Sequence, residues 1–441
     1  MELTLGLVIL IVLAYGLKAS TLRIAMLLVG TVGVIGLFTE PHLLCWTQAI
    51  KMLVMLSGLA ILCMLDHLTS HRSSSLLILL VILGNLLLIG STNLISIYLA
   101  LEMQTLCMFI LVAYNRNSLL SAEAGLKYFV LGALSSGLFL FGCALIYGST
   151  GELELQFIRL SIVSYSTLAG KCLITISLLF KVSAAPFHMW APDVYEGAPT
   201  WVAALLSIVP KLGVLAIIVQ IGLNETGLLI AGLISLIIGA IGALNQTRIK
   251  RLLAYSGISH MGFVLLGIAI GSIESLQASL MYIGAYIITQ VLLWSIILII
   301  SPKKDMLIEF SGVSRLSPML ALALATGLLS TAGIPPLIGF LTKWYIILAA
   351  VGQNYYLSAL IALICSVIAG VYYLRLVKIM FYQPLSTPLV IANILNSSRR
   401  APGKIILIGV SLYLILTIII CPSLFFQLTH LIILDLFPCI F

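Results

Sequence analysis

The sequence predicts an all-α polytopic membrane protein with about fourteen transmembrane helices, and three observations predict it. Of its 441 residues, 62% are hydrophobic and 8% charged, with a mean hydropathy of +1.23. A soluble domain carries roughly 25% charged residues. Apolar runs of the ~20 residues needed to cross ~30 Å of hydrocarbon recur from end to end. Basic residues gather at the ends of those runs. A barrel would show ~10-residue alternating segments, and the chain has none. The net charge of +8 is therefore a matter of topology and not of nucleic-acid binding.

In order, the spans cover residues 2–17, 21–38, 46–65, 74–90, 92–114, 121–147, 162–187, 198–222, 226–244, 250–271, 276–300, 316–351, 355–381 and 404–425. The first begins MELTLGLVILIVLAYGLKAS. It lacks the basic start and small-residue cleavage site of a signal peptide, and reads as a retained span. Residues 426–441 are apolar around Asp435 and Pro438, and read as a short surface helix or an extension of the last span.

With the N-terminus outside, the loops after odd-numbered spans collect sixteen of the 22 basic residues, from Lys18 and Arg23 to Arg400 and Lys404, Lys127 among them. Lys51, Arg159 and Lys171 fall on the other side, where Glu40, Glu152, Glu154, Glu225, Glu274 and Asp435 gather. This is the asymmetry of the positive-inside rule, and it gives both termini outside.

Three lysines then have no loop to occupy: Lys181, Lys211 and Lys343. A charge at the centre of a spanning helix costs at least ~2.5–3.5 kcal/mol, so each calls for a reason. Lys181 and Lys211 lie in FKVSAAPFHMWAPDVYEGAPTWVAALLSIVPKLG, residues 180–213, beside Pro186 and Pro210. Lys343 follows Gly333, Pro335 and Pro336 inside the twelfth span. Prolines of this kind break a helix, and a break at bilayer depth survives where protein or a wet cavity satisfies the freed carbonyls. The seventh and twelfth spans are thus both interrupted, five spans apart. Spans 4–8 and 9–13 accordingly read as two inverted five-helix repeats, the sequence pointer to a transporter core. The corresponding segments are three N-terminal helices over 1–73, repeats over 74–222 and 223–382, and a basic loop, last helix and tail over 383–441.

Glu102 is the one acid near the middle of a span, and His260 also falls near mid-depth. A carboxylate beside a buried lysine favours its charged form, and separation or desolvation releases the proton. Glu102 with Lys181 thus reads as a proton-holding pair, with Lys211, His260 and Lys343 extending a relay, and with His188 at the inner turn as an access residue. Blander roles compete. Lys181 can snorkel to the inner interface, Glu102 can be a structural counter-ion, and His260 can be a packing histidine bonded to a backbone carbonyl. Asp193 and Glu196 read as turn and cap residues. The eight cysteines are scattered through apolar runs without a CxxC pair or a Cys/His cluster, which indicates packing and no metal. No nucleotide loop, Rossmann glycine pattern, haem ligand pair or nucleophile elbow is present, so no redox chemistry resides in this chain.

The 180–213 stretch, with ALEMQTL around Glu102, RIKRLLAYSGISHMGFVLLG over 248–267 and GIPPLIGFLTKW over 333–344, resembles subunit 2 of respiratory NADH:ubiquinone oxidoreductase (complex I), the N subunit of the bacterial enzyme. That group belongs to the antiporter-like proton-pumping subunits, which are related to Mrp-type cation/proton antiporters. The resemblance runs from about residue 74 to 381. It implies fourteen helices, two inverted repeats, and Glu102, Lys181, Lys211 and Lys343 as the buried relay. A lysine at 343 favours subunit 2 over the subunit 4 type, and a long lateral extension of the subunit 5 type is missing. The resemblance further implies a non-redox role within the translocase. No cofactor is bound by this chain, and NADH, FMN, iron-sulfur clusters and ubiquinone sit elsewhere in the complex. Its implied partners are the subunit 4 and 4L types, accessory subunits and the lipid bilayer, including lipids such as cardiolipin. The implied location is the mitochondrial inner membrane, with the bacterial plasma membrane or the thylakoid as alternatives. A stand-alone Mrp-type antiporter is the second reading of function.

Overall fold

Inside hydrocarbon a backbone has no water to bond, so helices satisfy it internally. The regular elements of the described residues are accordingly helical, without a named strand. The structure is a computed structural model and describes Gly6, Gly30 and residues 46–65, 72–160, 164–222, 225–300, 305–384 and 402–434. The first two expected spans, 2–17 and 21–38, lie outside the described residues but for single positions.

The chain divides into two compact units. The first runs to Ala231 and holds α1 (Trp46–Met64), α2 (Arg72–Gly90), α3 (Leu94–Val112), α4 (Leu119–Thr150), α5 (Leu155–Leu160), α6 (Tyr165–Val182), α7 (Trp190–Gly197) and α8 (Thr200–Ile221). The boundary falls within α9 (Glu225–Leu244). The second unit, Gly232–Ile433, holds α10 (Ile249–Ile270), α11 (Ile273–Ile300), a 3-10 turn at Leu307–Phe310, α12 (Val313–Leu316), α13 (Pro318–Ala332), α14 (Ile338–Gly352), α15 (Tyr356–Tyr382), α16 (Pro402–Ile420) and most of α17 (Pro422–Leu434). Ten of these helices are long and apolar enough to cross a membrane by length and composition: α1, α3, α4, α6, α8–α11, α15 and α16. The apolar parts of α2, α13, α14 and α17 are shorter.

Some boundaries differ from the sequence reading. The seventh span stops at Val182 and not at residue 187, and the short α5 precedes it. Asp193 and Glu196 lie inside the short helix α7 and not in a turn. The last span ends at Ile420, because Pro422 has no N–H to continue it. Proline suits a first helical turn, so Pro422 instead opens α17. Residues 435–441 lie outside the described residues.

Within the first unit α8 is the core. Its apolar window is 100% buried, and it packs against α1, α2 and α6. In the second unit α10 and α11 are each 89% buried over theirs, with α13, α14 and α16 against α11.

Two local devices recur, once in each unit. In the first unit, residues just before α3 and α5 form an antiparallel bridge, Asn93 to Glu154. In the second, Arg248 before α10 pairs with Met306 before the 3-10 turn. Both broken spans also end in the same way. Ser183 (φ 64°) and Gly333 (φ 86°) take the left-handed conformation. Ser183 N–H bonds Phe180 O (3.0 Å) and Ala184 N–H bonds Leu179 O (2.9 Å). Gly333 N–H bonds Ser330 O (3.0 Å) and Ile334 N–H bonds Leu329 O (3.2 Å). This is the Schellman pattern of carbonyl satisfaction at a helix end. Three residues after each left-handed residue stands a proline, Pro186 or Pro336, and the peptide bond before it is cis.

Helices α4 and α6 touch backbone to backbone. A Cβ on Gly170 would lie 2.8 Å from Gly142 O and 2.7 Å from Ile146 Cγ1. Gly170→Val should therefore destabilise the chain by about 1–3 kcal/mol through overpacking. Thermal unfolding in detergent, followed by exposure of the buried Cys143 thiol, should show a lower midpoint.

Candidate functional site

Each unit carries its own buried polar cluster. In the first, Lys181 occupies the last turn of α6. The carbonyls of a helix C-terminus carry partial negative charge and stabilise a cation there. Glu102, half-buried on α3, is near enough to interact electrostatically with Lys181, yet stays beyond the 4.0 Å of a direct ion pair. The structure thus brings these two groups into one neighbourhood without closing them on each other.

Lys211 lies on α8, 3% exposed. Pro210 before it supplies no N–H to the Leu206 carbonyl, so this helix interior carries a freed acceptor beside a cation. A close approach sits nearby: a Cβ on Gly213 would collide with Asn85 Oδ1 on α2, and Asn85 is fully buried.

His188 is buried in the turn between α6 and α7. Trp190 locks that turn. Its indole N–H donates to Phe180 O (3.1 Å), and its ring stacks on Tyr128, with centroids 4.8 Å apart. Lys127 lies in the third turn of α4 and not in a loop. It pairs with Asp193 on α7 (2.8 Å) and with Glu123 one turn away (2.6 Å).

In the second unit, α14 sends Lys343 back to the end of α13. The ammonium donates to Thr331 O (2.9 Å) and Ala332 O (2.8 Å) and lies 5.5 Å over the Phe263 ring. Lys343 is 6% exposed. Gly333 permits the approach, since a Cβ there would lie 2.9 Å from Lys343 Cδ.

His260 on α10 joins two hydroxyls. Nδ1 is 2.7 Å from Tyr282 Oη on α11, and Nε2 is 3.1 Å from Tyr373 Oη on α15. The bland expectation for His260 was a backbone carbonyl. The tyrosines were missed in the sequence reading, which counts tyrosine as apolar within a span. Lys250, counted among loop residues, forms a buried ion pair with Asp305 (2.9 Å). Among the described residues no group of three or more His, Cys, Asp or Glu side chains is arranged to hold a metal.

Comparison with known proteins agrees with this architecture. A family profile described as NADH:quinone oxidoreductase/Mrp antiporter, TM, matches residues 91–369. One described as NADH dehydrogenase subunit 2 N-terminal matches residues 1–88. NADH-ubiquinone oxidoreductase chain 2 of Metridium senile is 53% identical over 373 residues, 82% of this chain and 97% of the relative. The chain belongs to the NADH:quinone oxidoreductase chain 2 (subunit N) family. Subunit N of Pelagibacter ubique is 41% identical over 321 residues, 70% of this chain and 68% of that one. A chain of the respiratory complex I from Thermus thermophilus superposes with a TM-score of 0.79 at 27% identity, over 97% of both chains. A chain of the Mrp complex from Dietzia sp. DQ12-45-1b gives 0.85 at 18% identity, over 98% of this chain and 96% of that one, and shares the fold. Chain 2 family members are antiporter-like membrane subunits, and the buried lysines described above lie within the antiporter profile.

Lys343→Met should leave the carbonyls of Thr331 and Ala332 without their donor. A buried acceptor left unsatisfied costs about 1–3 kcal/mol. The thermal midpoint of the purified variant should fall relative to wild type, and Lys343→Arg, which retains a donor, should lose less.

Proposed function

We propose that this chain is a proton-translocating membrane-arm subunit of NADH:ubiquinone oxidoreductase. The observation that carries the proposal is the placement of lysines within apolar helices, at a helix end or beside a proline. Lys181 sits at the negative end of α6 with Glu102 within electrostatic range, Lys211 follows a proline inside a buried helix, and Lys343 is held by the end of α13. Retaining such cations in a bilayer needs a function or a partner, and each sits where a small displacement changes its stabilisation.

In this reading Glu102, Lys181, Lys211, His260 and Lys343 take up and release protons, with His188 as an access residue. Quinone reduction elsewhere in the complex drives them through electrostatic or conformational coupling. NADH, FMN, iron-sulfur clusters and ubiquinone belong to other subunits, and this chain does no redox chemistry. Its neighbours are the subunit 4 and 4L types and accessory subunits, in a bilayer that supplies lipids such as cardiolipin. Fourteen spans, an N-terminus on the intermembrane-space side and a mitochondrial inner membrane complete the proposal. The recurring helix-end turn, the proline three residues beyond it and the paired bridges support two repeats over 74–222 and 223–382.

The Mrp-type antiporter reading is less favoured. The match to the subunit 2 N-terminal profile and the 53% identical chain 2 relative both point to the oxidoreductase.

The test is Glu102→Gln and Lys211→Ala in the assembled complex in proteoliposomes. Both should lower coupled quinone reduction and proton translocation by ~100-fold or more, the lower end of what a proton-transfer group contributes. NADH oxidation by an artificial acceptor at the flavin should be unchanged. Wild-type rates of quinone reduction and proton translocation in either variant contradict the proposal, and sodium-dependent exchange by the isolated chain would favour the antiporter.

A further inference from the structure

We infer that Tyr373 and Tyr282 are the hydroxyl partners through which His260 exchanges protons, Tyr373 at Nε2 and Tyr282 at Nδ1. The inference rests on the proton-translocating reading above and names residues which that reading does not contain.

The geometry is a three-member chain. Tyr373 Oη meets Nε2 at 3.1 Å and Tyr282 Oη meets Nδ1 at 2.7 Å, with His260, Tyr282 and Tyr373 all at most 5% exposed. A carbonyl on a ring nitrogen accepts only, and so fixes the tautomer. A tyrosine hydroxyl both donates and accepts and rotates to suit its neighbour. An imidazole with a hydroxyl at each nitrogen is therefore served in either tautomer, which is what passing a proton through the ring requires.

Thr331, which interacts with Tyr373, donates its hydroxyl to Leu328 O (2.8 Å) and accepts from Lys343 Nζ through its carbonyl (2.9 Å). At the other end Tyr282 stacks on Phe263, with centroids 5.5 Å apart, the ring over which Lys343 lies. Tyr286 also packs on the imidazole, at 5.4 Å, and Tyr372 on Tyr373, at 4.4 Å.

The transfer balances. His260 begins with its proton on Nδ1, donated to Tyr282 Oη, while Nε2 accepts from Tyr373 O–H. As Tyr373 Oη takes up a proton, its own hydroxyl proton moves to Nε2. The Nδ1 proton moves to Tyr282 Oη, and the Tyr282 hydroxyl proton leaves. One proton enters and one departs, only O–H and N–H bonds change, and nothing is oxidised. The pass leaves His260 as its Nε2–H tautomer with both hydroxyls reversed.

The experiment compares Tyr373→Phe, Tyr282→Phe and Lys343→Ala in the assembled complex in proteoliposomes, normalised to assembled enzyme. A fourth preparation carries 3-fluorotyrosine at 373, which keeps the ring and hydroxyl but makes the hydroxyl more acidic. Each phenylalanine variant should lose coupled quinone reduction ~100-fold or more, with flavin-site NADH oxidation intact. The fluorinated enzyme should assemble normally and change its solvent deuterium isotope effect. If Lys343→Ala is impaired while both phenylalanine variants reduce quinone and pump at wild-type rates, this inference fails and the proposed function stands. If Lys343→Ala also pumps normally, the proposed function fails with it. Should a phenylalanine variant not assemble, an unchanged rate and isotope effect in the fluorinated enzyme overturns the inference.

Discussion

An ammonium held by the carbonyls at the end of a broken helix is the interaction on which the rest of this molecule depends. Burying a lysine in a bilayer is costly, and ending a helix there exposes carbonyls with no water to meet them. Lys343 answers both at once by donating to Thr331 O and Ala332 O. The requirement extends outwards: Gly333 must lack a Cβ for the lysine stem to pass, and α14 must lie close enough to α13 that a Cβ on Gly339 would collide with Ser330 O.

The first unit meets the same problem with different residues. Its helix end has the same Schellman turn, at Ser183, and the same downstream proline, at Pro186. The cation, however, is Lys181 in the last turn of α6 itself. In sequence the two lysines look mismatched, one before its proline and one after. Both belong to the end of the half-helix before the break, Lys181 by its place in the last turn and Lys343 by its bonds to Thr331 O and Ala332 O. The position ten residues beyond the left-handed residue holds Lys343 in one unit and Asp193 in the other. There Asp193 receives Lys127 from α4, so the post-break helix is tied back by an ion pair where its counterpart uses a carbonyl-bound lysine. A charge in this position thus anchors the break in both units, with opposite sign.

Much of this was legible in the sequence. Hydropathy and the positions of Lys181, Lys211 and Lys343 followed from the cost of charge in hydrocarbon, which composition expresses directly. Prolines marked both breaks, because their lack of an N–H is a local property. Three features were not legible. Helix ends near Val182 and Ile420 depend on which carbonyls find a partner, a tertiary matter. The pairing of Lys127 with Asp193 was hidden because the two residues are 66 positions apart. The hydroxyls beside His260 come from α11 and α15, so no local window contains all three. Tyrosine scores as apolar in a span, and its polar end shows only when the helices pack.

The most direct test of the account replaces both helix-end cations together. The double variant Lys181→Met, Lys343→Met would be assembled into the complex, reconstituted in proteoliposomes and measured for protons moved per pair of electrons passed to quinone. The account predicts a ratio below that of the wild-type enzyme, with flavin-site NADH oxidation unchanged. A double variant that assembles and moves protons at the wild-type ratio would contradict it.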